Sequence, residues 1–413
     1  MGAREHYAVP RALQLSDRLG ALYTDFWAAS GFRRLAIKTA PQSLRSMGAR
    51  FHPALTGGLV HSWNWRALAW EAELRFRARS GGAYGHYTGF VEVGRRFACT
   101  VRESLRRRRD FHGAAVLFTY DTGALEVLEW ARERGIRCVV NQMDPNRIEV
   151  DLVRNEAGRW PGWELHPLEV PEEYFQRRER EWELADFVVV NSEFCKQALI
   201  RHGVPAEKLV VIPLSYEVEE GGREATGAGS MTAGRKQTPG QPLRVLFLGQ
   251  VILRKGIQYL MEAARKLEAE NINFEVVGPI EISQAAVASA PKNMKFYGRV
   301  NRAAARDWYL QADVFVLPTL SDGFAITQLE AMAYGLPVVT TSCCGEVVCD
   351  GVNGFIVPPK DAESLAGTLQ RYLMRPALLT EQRAAALVKS RHFTLKRLAA
   401  DLESLEASLG DKQ

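Results

Sequence analysis

The chain has 413 residues, is 46% hydrophobic and 24% charged, and carries a formal net charge of +5, which is enough material to fill two or three domains with cores of their own. No apolar run approaches the ~18 residues of a membrane span, and no apolar segment follows Met1-Gly2-Ala3-Arg4-Glu5-His6, so neither a spanning helix nor a secretory signal is expected and the cytoplasm is the expected compartment. The six cysteines, Cys99, Cys138, Cys195, Cys343, Cys344 and Cys349, show no Cys-x-x-Cys spacing and no flanking histidines, a pattern of packed, reduced thiols and not of a metal site or disulfide framework.

The charge is uneven. Residues 1–110 hold 19 Lys+Arg against 8 Asp+Glu, and the remainder 34 against 40, so an N-terminal +11 sits beside −6. Much of the excess lies in Arg95, Arg96, Arg102 and the run at 106–109. Such a region attracts anionic lipid headgroups, a diphosphate-linked acceptor or nucleic acid, or is a solvated helix face. Trp63, Trp65 and Trp70 nearby favour contact with a membrane surface, and nucleic acid is not expected.

In chain order, residues 8–19 have helical spacing and 22–26 read as a short strand. Nothing before Tyr7 can form a strand, although a doubly wound domain normally opens on one, so the usual first strand is expected to be missing. Residues 40–95, rich in Gly, Trp, His and Arg with weak periodicity, read as short helices and mobile loops. His6 and His86 are candidate acid–base groups or ordinary surface or core histidines.

From residue 114 a βαβ rhythm sets in: strand 114–120, helix 124–134, strand 137–143. Asp121 and Asp144 follow the two strands, where such sheets place site residues, but Asp121 equally suits a helix N-cap and Asp144-Pro145 a turn. No Asp-x-Asp tripeptide offers paired carboxylates for a divalent metal, and no catalytic metal is expected. A charged helix at 172–185, a strand at 187–190, an N-cap at Asn191-Ser192, a helix to His202 and a strand at 209–214 complete the series.

Residues 217–241 are Gly-, Ser- and Thr-rich with hardly any large apolar side chain, the composition of a flexible linker. A second series follows: strand 243–248, Arg254-Lys255-Gly256 before a helix at 257–270, strand 273–277, residues 295–300, and a helix at 302–311. An apolar strand at 313–317, a polar loop and a helix from about Thr327 end at Gly335-Leu336-Pro337. Residues 350–355 read as a hairpin or tight turn, 361–372 and 378–388 as helices, and 393–409 as a last amphipathic helix.

The loop before Thr327 is the focus. Asp322 and Glu330 bracket it with seven residues between them, and a helix N-terminus facing that loop suits a phosphate or sugar hydroxyl. Arg254-Lys255, at a corresponding strand-to-helix junction, can hold a diphosphate.

The stretch Asp322-Gly323-Phe324-Ala325 with Glu330 closely resembles the acid-x7-acid element of the retaining glycosyltransferases of family four. Ala185-Asp186-Phe187-Val188-Val189-Val190-Asn191-Ser192, Val211-Ile212-Pro213, Gly249-Gln250 with Lys255-Gly256, and Ile356-Val357-Pro358-Pro359 continue the likeness, which covers nearly all of residues 175–375. The family usually has Glu-Gly-Phe-Gly in the first motif and arginine at Gln250.

The resemblance implies an α/β GT-B fold, two Rossmann-like domains with parallel sheets facing a central cleft. It implies an acceptor domain at 1–214, the linker at 215–242, a nucleotide-sugar domain at 243–392 and a final helix, 393–413, packed back towards the first domain. It implies a metal-independent retaining transferase, without cofactor, moving sugar from a nucleotide-sugar to a glycan, lipid-linked or small-molecule acceptor, with a non-catalytic nucleotide-sugar-binding relative as the alternative. Lys255, Arg254 and Asp322 take the catalytic positions. Gly249, Gln250, Arg299, Val300, Gly323, Phe324, Ala325, Ile326, Thr327 and Glu330 line the donor, with Glu330 towards the ribose and Arg299 and Val300 near the base.

Overall fold

A computed structural model describes residues 4–28, 47–48, 50–55, 57–107, 116–166, 168–217 and 240–410. The body of the expected linker lies outside the described residues, as do 108–115 and their share of the basic run. Among the described residues, parallel sheets are built from strands β1 (Leu22–Thr24), β2 (Val60–Ser62), β3 (Val116–Tyr120), β4 (Arg137–Gln142), β5 (Phe187–Val190), β6 (Leu209–Val211), β7 (Leu243–Leu248), β8 (Ile272–Val277), β9 (Met294–Gly298), β10 (Val314–Leu317), β11 (Val338–Thr340) and β12 (Gly354–Ile356). The orders are β1-β2, β3-β4-β5-β6 and β12-β11-β10-β7-β8-β9. The strands of the larger sheets are runs of Val, Ile, Leu and Phe because helices bury both faces of a parallel sheet.

The helices relevant to the site are α1 (Ala8–Leu15), α2 (Asn64–Arg107), α3 (Leu125–Arg132), α4 (Arg147–Arg159), α5 (Glu172–Leu184), α6 (Glu193–Arg201), α7 (Ile257–Lys266), α8 (Arg302–Gln311), α9 (Ile326–Ala333) and α10 (Leu395–Gly410). Residues 4–7 form a 3-10 turn, and β1 pairs with β2, in register from Leu22↔Val60 to Thr24↔Ser62, apart from the main first-domain sheet. One face of that sheet, Val139, Phe187 and Val189, is covered by Ala8, Val9 and Ala12 of α1 and by Leu398, Leu402, Leu405 and Leu409 of α10. The leucine stripe of the last helix therefore buries itself on the first domain.

Over 64–95 the short helices and loops expected from sequence are corrected by α2, which runs from Asn64 to Arg107 through one break at Gly82 (φ 56°, ψ −140°). The break makes it a helical hairpin. Its arms are clasped by Trp70 on Phe97 at 6.4 Å and by Arg96 with Glu73 at 2.7 Å. Glycines permit the approach: a Cβ on Gly85 would lie 2.2 Å from the Arg77 carbonyl oxygen, and one on Gly94 2.4 Å from that of Thr122. The same glycines weaken the apolar periodicity on which a helix is read from sequence.

Two readings that the sequence left open are settled. Residues 350–355 form a tight turn but no hairpin, since β12 runs parallel to β11. Asp121 is not a helix N-cap: the amides of Thr122, Ala124 and Leu125 before and at the start of α3 donate to the buried Glu181 of α5 instead.

Candidate functional site

The site lies where the C-terminal ends of β7 and β10 face those of β4 and β5. Past β7 the chain makes a 3-10 turn at Leu253–Lys255 and enters α7 through Gly256 at φ 75°. A Cβ on Gly256 would sit 1.9 Å from the Pro318 carbonyl oxygen, so only glycine lets this turn press against the loop after β10. The two loops are then joined through the Arg254 carbonyl, which accepts from the Leu320 amide at 2.8 Å and the Thr319 hydroxyl at 3.3 Å.

That joining brings Lys255 to Asp322, and the two side chains form an ion pair. Burial, then the neighbouring Arg254 cation, push the Lys255 ammonium down to about 7, with Glu149 and Cys344 acting the other way; direct contact with Asp322 also favours the charged form. Asp322 has a second task. Its Oδ1 accepts from the Ala325 amide at 3.1 Å, fixing Ala325 at φ 61° as the N-cap of α9. The amides of the first turn of α9, Ile326 and Thr327 among them, start from that cap and have no intrahelical acceptor.

Glu330 lies one turn into α9, half-buried, and accepts from the Tyr309 hydroxyl of α8 at 2.9 Å; Tyr309 is itself stacked on Tyr334 at 5.4 Å. Gly249 ends β7, its amide bonded to the Val277 carbonyl at 2.9 Å. Gln250 is exposed and its amide reaches Glu281 at 3.5 Å, away from Lys255's pair. Arg299 is exposed beyond β9, while Val300 is half-buried against the second-domain core. Gly323, Phe324 and Ala325 thus follow directly on Asp322, the partner of Lys255, and on Ser321, whose carbonyl accepts from Arg254 at 3.0 Å, while Glu330 is held by Tyr309.

Sequence reasoning named Asp121 and Asp144 in the first domain but missed the helix that reaches across from it. Helix α4 carries Glu149 and Glu156, seven apart and on one face. Glu149 accepts from Arg254 Nη1 at 3.2 Å and from the Ser321 hydroxyl at 2.8 Å, so Arg254 is held by the opposite domain. Glu156, fully buried, accepts from the Tyr259 hydroxyl at 2.7 Å and the Gln258 amide at 3.2 Å, and pairs with Lys360 at 2.6 Å. Burial raises the Glu156 pKa, but the bonds from Lys360, Tyr259 and Gln258 outweigh it and leave the carboxyl below its ordinary value. The i,i+7 acids were the available signal; their partners all lie far along the chain, in the second domain.

The loop itself is gripped from the same side. Ser192, the N-cap of α6, donates to the Gly323 carbonyl at 2.5 Å, and a Cβ on Gly323 would lie 1.9 Å from the Met143 carbonyl oxygen. Glu346 accepts from the Glu193 and Phe194 amides at 3.2 and 3.3 Å. Behind β3 and β4, the buried Arg178 reaches Asp121 at 2.5 Å, Asp144 at 2.8 and 2.9 Å, and Asn146 at 3.0 Å. Asp144 also accepts from the Asn146 amide at 2.8 Å, forming its turn. The Tyr174 ring covers Arg178, and Tyr87 packs on Tyr174 at 4.9 Å. Burial, with Asp144 and Glu149 next, raises the Tyr87 pKa. Among the described residues no group of three His, Cys, Asp or Glu side chains gathers as metal ligands.

Comparison with known proteins places this geometry. Residues 242–375 match the family described as "Glycosyl transferases group 1". A curated relative is the amylovoran biosynthesis glycosyltransferase AmsK of Erwinia amylovora, 29% identical over 234 residues, 52% of this chain and 55% of that protein. The chain spans about half the length of the curated relatives it matches.

Among solved structures, Anabaena Alr3699/HepE in complex with UDP and glucose aligns with a TM-score of 0.57 at 15% identity over 98% of this chain and 96% of that one. Sucrose-phosphate synthase from Thermosynechococcus elongatus aligns with 0.57 at 19% identity over 77% and 79%. These likenesses show the fold: the two-domain GT-B arrangement, two Rossmann-like domains with parallel sheets.

Proposed function

We propose that the protein is a retaining, metal-independent glycosyltransferase that moves a sugar from a nucleotide-sugar donor to a glycan or lipid-linked acceptor. The observation that carries the reading is the juxtaposition of Lys255 and Arg254 with the N-terminus of α9 inside the segment that matches the family. When the bond from sugar to diphosphate breaks, negative charge grows on the departing β-phosphate. Lys255, Arg254 and the Ile326 and Thr327 amides supply the positive field that a divalent metal supplies elsewhere. Glu330 binds the ribose hydroxyls, Val300 and Arg299 border the base, and Asp322 with the Gly323 to Ala325 backbone borders the sugar.

AmsK is named for amylovoran biosynthesis and HepE was solved with UDP and glucose; both support polysaccharide or glycoconjugate synthesis from a nucleotide-sugar. The enzyme works in the cytoplasm at the inner face of the membrane, and Asp144, Tyr87 and Arg178 lie on the acceptor side of its cleft. No helix among the described residues is long and apolar enough to cross a membrane.

A second reading, a nucleotide-sugar-binding protein without turnover, is favoured by one feature: Arg254 is engaged by Glu149 and Lys255 by Asp322. Incubation with UDP-, GDP- and ADP-sugars, with release of free nucleoside diphosphate measured against a Lys255→Ala control, separates the two. Release by the wild type that the variant lacks supports transfer; binding of nucleotide without release on any acceptor supports the second reading.

A further inference from the structure

The first arm of α2 leaves one face uncovered. Trp65, Ala69, Ala72 and Phe76 follow one another at intervals of four, three and four, a single stripe at 3.6 residues per turn. All four are exposed, Trp65 by 85% and Phe76 by 72%, while Ala67 and Trp70 on the other side are buried in the domain core. The stripe is bordered by the exposed Arg66, Arg75 and Arg79.

The acids of the arm do not cancel this pattern. Glu73 is taken up by Arg77 and Arg96, and Glu71 by Arg75 in an exposed i,i+4 pair, an interaction weak enough to yield to a lipid phosphate. Single exposed apolar residues are ordinary, but two large aromatic rings on one stripe with arginines on both borders mark a helix that lies in a membrane interface. A second copy of the chain suits the stripe poorly, because a two-fold contact would bring its arginines against one another. The excess charge of +11 over residues 1–110 acts in the same direction at longer range.

We infer that this stripe is a docking face for an anionic lipid bilayer, with Trp65 and Phe76 seated at headgroup level and Arg66, Arg75 and Arg79 meeting lipid phosphates. Arg95 and Arg96 are paired with Glu92, and Arg106 with Glu103, and none of the three borders the stripe. The inference does not depend on which reaction the cleft performs.

The test is co-sedimentation of the full chain with phosphatidylcholine vesicles, with and without phosphatidylglycerol. Wild type is expected to pellet with the anionic vesicles and only weakly with the neutral ones. Trp65→Ser/Phe76→Ser is expected to lose about tenfold or more in partitioning. Arg66→Gln/Arg79→Gln is expected to lose roughly fivefold per arginine, on anionic vesicles alone. Circular dichroism and thermal unfolding should be unchanged in both variants, since the side chains are exposed. Three results overturn the inference: wild type remaining in the supernatant with both vesicles, the aromatic variant pelleting as wild type does, or a fall in light-scattering mass in that variant, which would make the stripe a self-association face.

Discussion

Ala325 occupies a backbone position made for glycine. Its φ of 61° lies in the left-handed region, where a side chain costs about 1–2 kcal/mol, and the Asp322 carboxylate holds it there. Ala325→Gly should therefore raise stability by about 1 kcal/mol, seen as a higher urea midpoint at unchanged slope. Removing the methyl also widens the sugar side of the loop, so donor affinity should rise and not fall; weaker binding in a more stable variant would show that the methyl is part of the donor contact.

Glu149 is the other residue whose chemistry was invisible without the fold. It places a carboxylate on Arg254, where the proposed diphosphate must approach. Glu149→Gln keeps a hydrogen-bond acceptor for Ser321 and removes the like charge, and uridine diphosphate should bind about tenfold more tightly by calorimetry. Equal affinity in the variant would mean that the diphosphate does not approach Arg254.

At the scale of elements, legibility followed the source of each signal. The parallel strands were readable because their period and length are local: residues 302–311 coincide with a helix, and Ser192 caps α6 as its position suggested. The α2 hairpin was not, because Gly81, Gly82, Gly85 and Gly89 interrupt its apolar pattern for reasons set by packing between its arms. That reason is testable. Gly85→Ala forces a Cβ against the Arg77 carbonyl and should cost about 1–3 kcal/mol in urea unfolding, whereas Gly81→Ala, with nothing within 4 Å of its Cβ, should be close to neutral or slightly stabilising.

The second-domain half of the candidate site was legible because its residues are consecutive or lie on adjoining loops. The first-domain half was legible only in Asp121 and Asp144: Arg178 joins them from a distant helix, and α4 was not recognised at all.

Across the whole molecule, the two domains are joined by more than the linker. The Tyr216 amide bonds the Phe393 carbonyl at 2.9 Å, so the two crossing segments run together, and the Phe393 ring packs edge-on to Phe324 of the loop before α9 at 6.0 Å. Glu156 fastens α4 to α7 and Lys360. Its folded pKa lies below the usual carboxylate value, so its contribution is complete above the unfolded pKa of ~4.5 and is lost as pH falls through the lower folded value. The stability difference between wild type and Glu156→Gln, measured by urea unfolding, should hold steady from about pH 7 to 5 and shrink in more acid solution; a difference that grew on acidification would contradict an ionised Glu156.

The central claim is that the second domain binds a nucleotide-sugar through the loop and helix that begin at Asp322, and Glu330 tests it most directly. Titration calorimetry of uridine, guanosine and adenosine diphosphates into wild type and Glu330→Ala should find one nucleotide that binds the wild type and loses about 10–100-fold in affinity in the variant, the worth of hydrogen bonds to a charged group. Unchanged affinity in a folded variant would place the nucleotide elsewhere and overturn the site.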